Sequence, residues 1–250
     1  MAVDAWIELD CEPRRTLGSG ELLQLVKLRG YVELIEDLAR RQGARPEDVP
    51  VDLAGPDGEQ VLDYERLQGQ TAPLRELASH CTGCPANLWA ETYGCVTAIG
   101  YPIDAAAERW LLERLPADLS VEPGLHLVRA IRDFNIEGAR VRQMRAQGLL
   151  ADPDGLARRY GSFTVTSDQA LELLLFTRLQ PAAARLFLLL YGTVEPVPPD
   201  QVQAALAGDV PLKQAAFLTE SDSPSVRNLK RVFVSLLAAV QLGTVVRLAP

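Results

Sequence analysis

The sequence predicts an α+β protein in two parts: an N-terminal ferredoxin-like βαββαβ module with a four-Cys metal site over residues 1–103, and an all-α helical module over residues 104–250. Three observations predict it. Strand-like and helix-like patterns alternate up to Ile103, and only helical periodicity follows. The surplus acid lies wholly in the first part: residues 1–103 carry 9 basic and 17 acidic side chains, a net of −8, whereas residues 104–250 carry 16 of each. Of the four cysteines, Cys81, Cys84 and Cys95 share one window, and Cys11 ends the first strand.

The chain's 250 residues, 48% of them hydrophobic, suffice for one large or two ordinary buried cores. A net charge of −8 argues against non-specific binding to nucleic acid or anionic membrane as the main activity. The opening MAVDAWIELD has neither the basic nor the apolar stretch of a secretory signal. The most apolar run, Leu171–Tyr191, is broken by Arg178, Gln180, Pro181 and Arg185, and reads as two buried helices rather than a membrane span. A cytoplasmic location is expected. Thiols stay reduced there, so four cysteines are expected to ligate metal rather than form disulfides.

Val3, Ala5, Ile7, Leu9 and Cys11 alternate with polar residues or Trp6, the period of a strand with odd positions inward. Ser19 is placed to cap a helix with Leu22, Leu25, Val26, Val32, Ile35 and Leu38 on one face, closed by Gly43. A strand at Val49–Leu53, the turn Gly55-Pro56-Asp57-Gly58 and a strand at Glu59–Tyr64 make a hairpin. A short helix, Leu74–Ser79, runs into the cysteines, and the apolar stretch Cys95–Tyr101 reads as a buried strand ended by Pro102. This order is the ferredoxin-like one. It puts the fourth strand beside the first and brings Cys11 to Cys95.

Beyond the boundary, Asp104 caps a helix at Ala105–Leu115. Pro123 opens one long helix with Leu127, Ile131, Phe134, Gly138 and Val141 on one face, closed by Gly148. Thr166-Ser-Asp-Gln169 is a capping box. Pro181 starts a further helix, Pro196–Pro199 is a linker, and Asp200 caps a short helix ending at Gly208. Ser223-Pro224 opens the last helix, closed by Gly243; its stretch Val232–Val240 is apolar almost all round and so faces a core or a partner.

Cys-x2-Cys lets two thiolates from one tight turn reach one metal. With Cys95 and Cys11 it makes four soft ligands, suited to tetrahedral zinc or an iron–sulfur cluster. A thiol–disulfide pair at Cys81/Cys84 lacks the leading strand of a thioredoxin-like motif, and His80 could replace Cys11 as a ligand. A closed four-thiolate site leaves no open position for catalysis. The chain has two histidines, His80 and His126, and no H-E-x-x-H, G-x-S-x-G, Walker A or G-x-G-x-x-G motif. Trp89, Tyr93 and Tyr101 flank the cysteines as packing groups.

Arg129, Arg132, Arg140, Arg142 and Arg145 line one side of the long helix, with Arg158 and Arg159 soon after. Paired with Asp133 and Glu137 they make a solvated face; unpaired, they would suit an acidic partner or a nucleic-acid backbone. The expectation is therefore a non-enzymatic, cytoplasmic zinc-binding protein, an interaction or adaptor subunit of a larger protein assembly. The alternatives are an iron–sulfur redox or sensor protein at the same cysteines, and a nucleic-acid-associated subunit using the arginine face.

Overall fold

The computed structural model describes residues 2–55, 58–88, 92–175, 178–192 and 218–249. The chain forms two compact units: unit 1 is Met1–Leu9 with Thr97–Pro250, and unit 2 is Asp10–Val96.

In β1 (Ala2–Ile7), Val3, Ala5 and Ile7 are buried as the alternation requires. The strand stops at Ile7, so Cys11 does not end it. Cys11 instead precedes α1 (Glu12–Leu17) as the extended residue at its start, with Pro13 in the first turn where a missing N–H costs no helical bond. In α2 (Ser19–Gln42), Gly18 rather than Ser19 holds the capping position, and Gly43 closes the helix in the left-handed conformation. Its buried side chains divide between two small cores. Leu22 and Leu25 pack with Leu74, Cys81 and Tyr93; Val32, Ile35 and Ala39 pack with Val49 and Leu67.

β2 (Asp52–Gly55) and β3 (Gly58–Val61) form the expected antiparallel hairpin, with Gly55 opposite Gly58. Pro56 and Asp57 of its turn lie outside the described residues. Tyr64, expected to end the returning strand, starts α3 (Tyr64–Gln70), whose first turn is held by the Arg66 N–H donating to Asp63 at 2.9 Å. α4 (Ala72–Leu77) and a 3-10 turn (Ala78–Cys81) lead into the cysteines, and β4 (Val96–Gly100) carries the chain back into unit 1.

α5 (Ala105–Arg114) is capped as expected, the Ala107 N–H donating to Asp104 Oδ1 at 2.8 Å. The predicted single long helix is two: α6 (Glu122–Asp133) and α7 (Ala139–Ala146). Asn135 and Gly138 between them have φ of 50° and 77°, which no helix interior accommodates. Phe134, expected on the apolar stripe, is 76% exposed. Gly138 is also needed for space, because a Cβ there would stand 2.7 Å from Asp168 Cβ.

β5 (Ala157–Tyr160) and β6 (Phe163–Thr166) form an antiparallel hairpin, so the second module is not all-α. Tyr160, Phe163 and the β-branched Thr164, Val165 and Thr166 flank the tight turn and suit a pleated ribbon better than a helix. α8 (Ser167–Leu175) starts at the predicted capping box: the Gln169 N–H donates to Thr166 Oγ1 at 3.2 Å, and the Thr166 N–H to Gln169 Oε1 at 3.0 Å. β7 (Arg178–Leu179) and α9 (Pro181–Leu190) follow. The expected linker at Pro196–Pro199 and helix from Asp200 to Gly208 fall outside the described residues. α10 (Pro224–Leu242) is capped by Ser223, which accepts the Val226 N–H at 3.2 Å, and closes on Gly243; β8 (Val246–Ala249) ends the described chain.

The βαββαβ order along the chain stands, but the ferredoxin-like sheet does not. One sheet runs β4-β1-β8-β7, while β2 and β3 pair only with each other among the described residues. β4 is beside β1, as expected. The other edge of β1 is taken by β8 in antiparallel register, Asp4 opposite Ala249 and Ile7 opposite Val246. Val246 and Leu248 are buried on alternate positions, whereas Gly58-Glu-Gln-Val61 has little apolar surface to bring to a sheet. The boundary expected at residue 103 therefore moves: β1 and Thr97–Gly100 of β4 belong with the C-terminal part.

α10 centres the core of unit 1. Val232, Phe233, Leu236 and Ala239 are fully buried, and the helix packs on α9, α5 and β1. Phe233 meets Trp110 and Tyr191 edge-on at ring-centroid distances of 5.5 and 5.3 Å. Its apolar surface is thus covered by its own chain rather than kept for a partner. No helix among the described residues is long and apolar enough to cross a membrane.

Candidate metal centre

All four cysteines, Cys11, Cys81, Cys84 and Cys95, belong to unit 2, and none forms a disulfide. Cys81-Thr82-Gly83-Cys84 is a type II turn. Thr82 has φ −66° and ψ 122°, Gly83 has φ 72°, and the Cys84 N–H donates to Cys81 O at 3.2 Å. The positive φ is why glycine stands third. Asn87 ties this turn to the segment before Cys95: its Nδ2 donates to Cys81 O at 3.1 Å, and its Oδ1 accepts the Gly94 N–H at 2.7 Å. Tyr93 is buried in a left-handed conformation (φ 65°), and its hydroxyl donates to Leu74 O at 2.6 Å.

The thiols act on one another. Burial pushes the Cys95 thiol up to about 12; Arg14 works against this, while charge on Cys11, Cys81 or Cys84 each raises it further. Burial also raises Cys81, opposed by a hydrogen bond from the Tyr93 backbone N–H, and Cys84 and Cys11 again push it upward. Mutually repelling, part-buried thiols are a poor place for free thiolates. They are a place where a bound dication would cancel the repulsion and displace the protons.

No group of three or more His, Cys, Asp or Glu side chains among the described residues is arranged to hold a metal ion as it stands. The donor chemistry is that of a soft-metal site; the side-chain arrangement is not that of a closed one. His80, the alternative ligand, is exposed in the 3-10 turn. Trp89 lies outside the described residues, and Tyr101 belongs to unit 1. Sequence reasoning missed the Tyr93 N–H and the Asn87 clamp. Neither has a sequence signature, because each acts through backbone geometry set by the fold.

The arginine face fares differently. The break between α6 and α7 separates Arg129 and Arg132 from Arg140, Arg142 and Arg145. Arg132 lies 5.6 Å from the Phe163 ring centroid, and Arg142 donates to Glu137 O. Arg145 is not on a surface at all. Its side chain is 6% exposed and donates to Glu108 at 2.7 and 3.2 Å, to Asp168 Oδ1 at 2.6 Å and to Asp152 O. Glu108 is fully buried and also accepts the Ser167 hydroxyl. Burial works against the Arg145 charge, and the hydrogen bonds it donates to Glu108 and Asp168 outweigh it.

No protein-family model, no curated protein and no solved structure matches this chain.

Proposed function

We propose that Cys11, Cys81, Cys84 and Cys95 hold one zinc ion as four thiolates, and that the protein is a non-enzymatic zinc-stapled interaction subunit of a larger assembly. What supports this reading is that every cysteine of the chain belongs to unit 2 and that charge on the other three acts on Cys95. The Gly83 turn presents Cys81 and Cys84 together, and the Tyr93 N–H supports charge on the Cys81 sulfur. Four thiolates fill a tetrahedral zinc shell, so the ion would hold the unit together rather than activate water. The interaction role is supported by apolar side chains left to solvent in unit 1: Phe134 is 76% exposed, and Val121 and Leu125 are 49% and 48% exposed.

Elemental analysis of the purified protein and of Cys11→Ser tests the reading. One zinc per chain in the wild type, reduced well below one in Cys11→Ser, is the expected result. Full zinc in Cys11→Ser would remove Cys11 from the site, and a metal-free wild type would end the proposal. Iron–sulfur ligation by the same residues is the second reading, because hydrogen bonds to sulfur such as that from Tyr93 tune cluster potentials. It predicts equimolar iron and sulfide with visible absorption after anaerobic purification.

A further inference from the structure

A cleft of about 520 Å³ in unit 1 is lined by Arg109, Leu112, Glu113, Leu156, Ala157, Arg158 and Arg159. One wall is a single face of α5, since Arg109, Leu112 and Glu113 stand at i, i+3 and i+4. The opposite wall is β5 and the residue before it. Three arginines and one glutamate border the cleft, a net formal charge of +2 in a chain whose net charge is −8.

The three arginines differ in how they are held. Arg158 Nη1 donates to Leu112 O and Leu115 O, both at 2.8 Å, and its guanidinium lies 5.0 Å from the Tyr160 ring centroid. It caps the carbonyl end of α5 and is fixed there. The side chains of Arg109 and Arg159 are exposed and make no hydrogen bond or ion pair with any described residue. Glu113, one turn beyond Arg109, does not pair with it. Two uncommitted arginines and a fixed one thus border the same cleft, with Leu112, Leu156 and Ala157.

We propose that this cleft binds a small organic phosphate. Arg109 and Arg159 take the phosphate oxygens, each guanidinium presenting a planar pair of donors that matches them. Arg158 adds fixed positive charge, and Leu112, Leu156 and Ala157 cover the organic part. A phosphate monoester carries up to two negative charges near neutral pH, which balances the cleft. The volume falls within the roughly 300–1,000 Å³ of small-molecule sites.

Calorimetric titration of the full chain at low ionic strength with phenyl phosphate, and separately with inorganic phosphate, tests this. Phenyl phosphate is expected to bind saturably at one site, more tightly than inorganic phosphate. Arg109→Gln and Arg159→Gln are each expected to weaken it about tenfold, the loss of one charge-assisted hydrogen bond. Arg66→Gln, an exposed arginine of unit 2, is expected to leave it unchanged. Absence of saturable phenyl phosphate binding to the wild type would overturn the proposal. Equal weakening by Arg66→Gln would overturn it too, by showing only the loss of overall charge. Equal affinity for the two probes would overturn the role given to the apolar wall.

Discussion

In unit 1 two buried carboxylates, Glu108 and Asp168, share one guanidinium from Arg145; in unit 2 burial and the neighbouring cysteines push the Cys81 and Cys95 thiols upward, with Arg14 working against this at Cys95. Both are clusters of like-charging groups taken out of water. Unit 1 completes its cluster from its own chain, hydrogen bond by hydrogen bond, where α5, α7 and α8 meet. Unit 2 has two small apolar clusters bridged by part-buried Leu28, one of which includes Cys81 itself. A unit confined to Asp10–Val96 buries a smaller share of its surface than a larger one. The contrast teaches where an external cation would contribute most: in the unit whose own arginines leave the Cys81 and Cys95 thiols pushed upward and whose described apolar clusters are small.

The largest effect tests that contrast directly. On the zinc reading proposed above, treatment with a chelator is expected to collapse amide-exchange protection across residues 10–96 while the α10 amides stay protected, because structural zinc is worth about 10–16 kcal/mol in small modules. Unchanged protection in residues 10–96 of a chelator-treated, metal-free sample would break the comparison.

Next in size, Arg145→Leu is expected to destabilise unit 1 by about 3–5 kcal/mol in denaturant titration, because it leaves Glu108 and Asp168 buried without their counter-charge. Zinc content should not change. A loss under about 1 kcal/mol would mean that water satisfies the two carboxylates.

A smaller effect separates the units by pH. Burial pushes the Asp222 carboxyl up, and hydrogen bonds from Lys230 and Thr219 more than offset this, holding it below the ordinary value. A depressed carboxylate contributes stability that is complete above its unfolded value near about 3.9 and is lost as pH falls through its lowered folded value. Asp222→Asn is expected to cost about 1.5–3 kcal/mol at neutral pH and to flatten the acid limb of the unit 1 melting profile. An identical acid limb in the variant would remove the pair as a contributor.

The interactions legible in sequence were the short-range ones. Asp104, Ser223 and the Thr166–Gln169 pair each cap an N–H three residues away, and Gly43 and Gly243 close their helices, as read from local chemistry. The Cys81–Cys84 turn was legible for the same reason. Arg145 was not. Its sequence neighbours Asp133 and Glu137 suggested a solvated face, but its partners Glu108 and Asp168 are 37 and 23 residues away. The helix break was missed because the apolar spacing runs through Asn135 and Gly138, and only the fit of Gly138 against Asp168 demands a bend there. Cys11 stands in a different element from the one its alternation suggests, the residue before α1 instead of a strand end.

By itself, then, the sequence determined the α+β character, most helix ends, the β2–β3 hairpin, and the pairing of Cys81 with Cys84 in one turn. The tertiary structure decided that β8 rather than β3 completes the sheet on β1, that α10 is covered by its own chain, and that Arg145 lies inside unit 1. The physical reason is range. A cap or a turn is fixed by groups a few residues apart, whereas a strand edge, a helix face or a buried charge takes whichever distant segment best covers it, and that competition leaves no local mark.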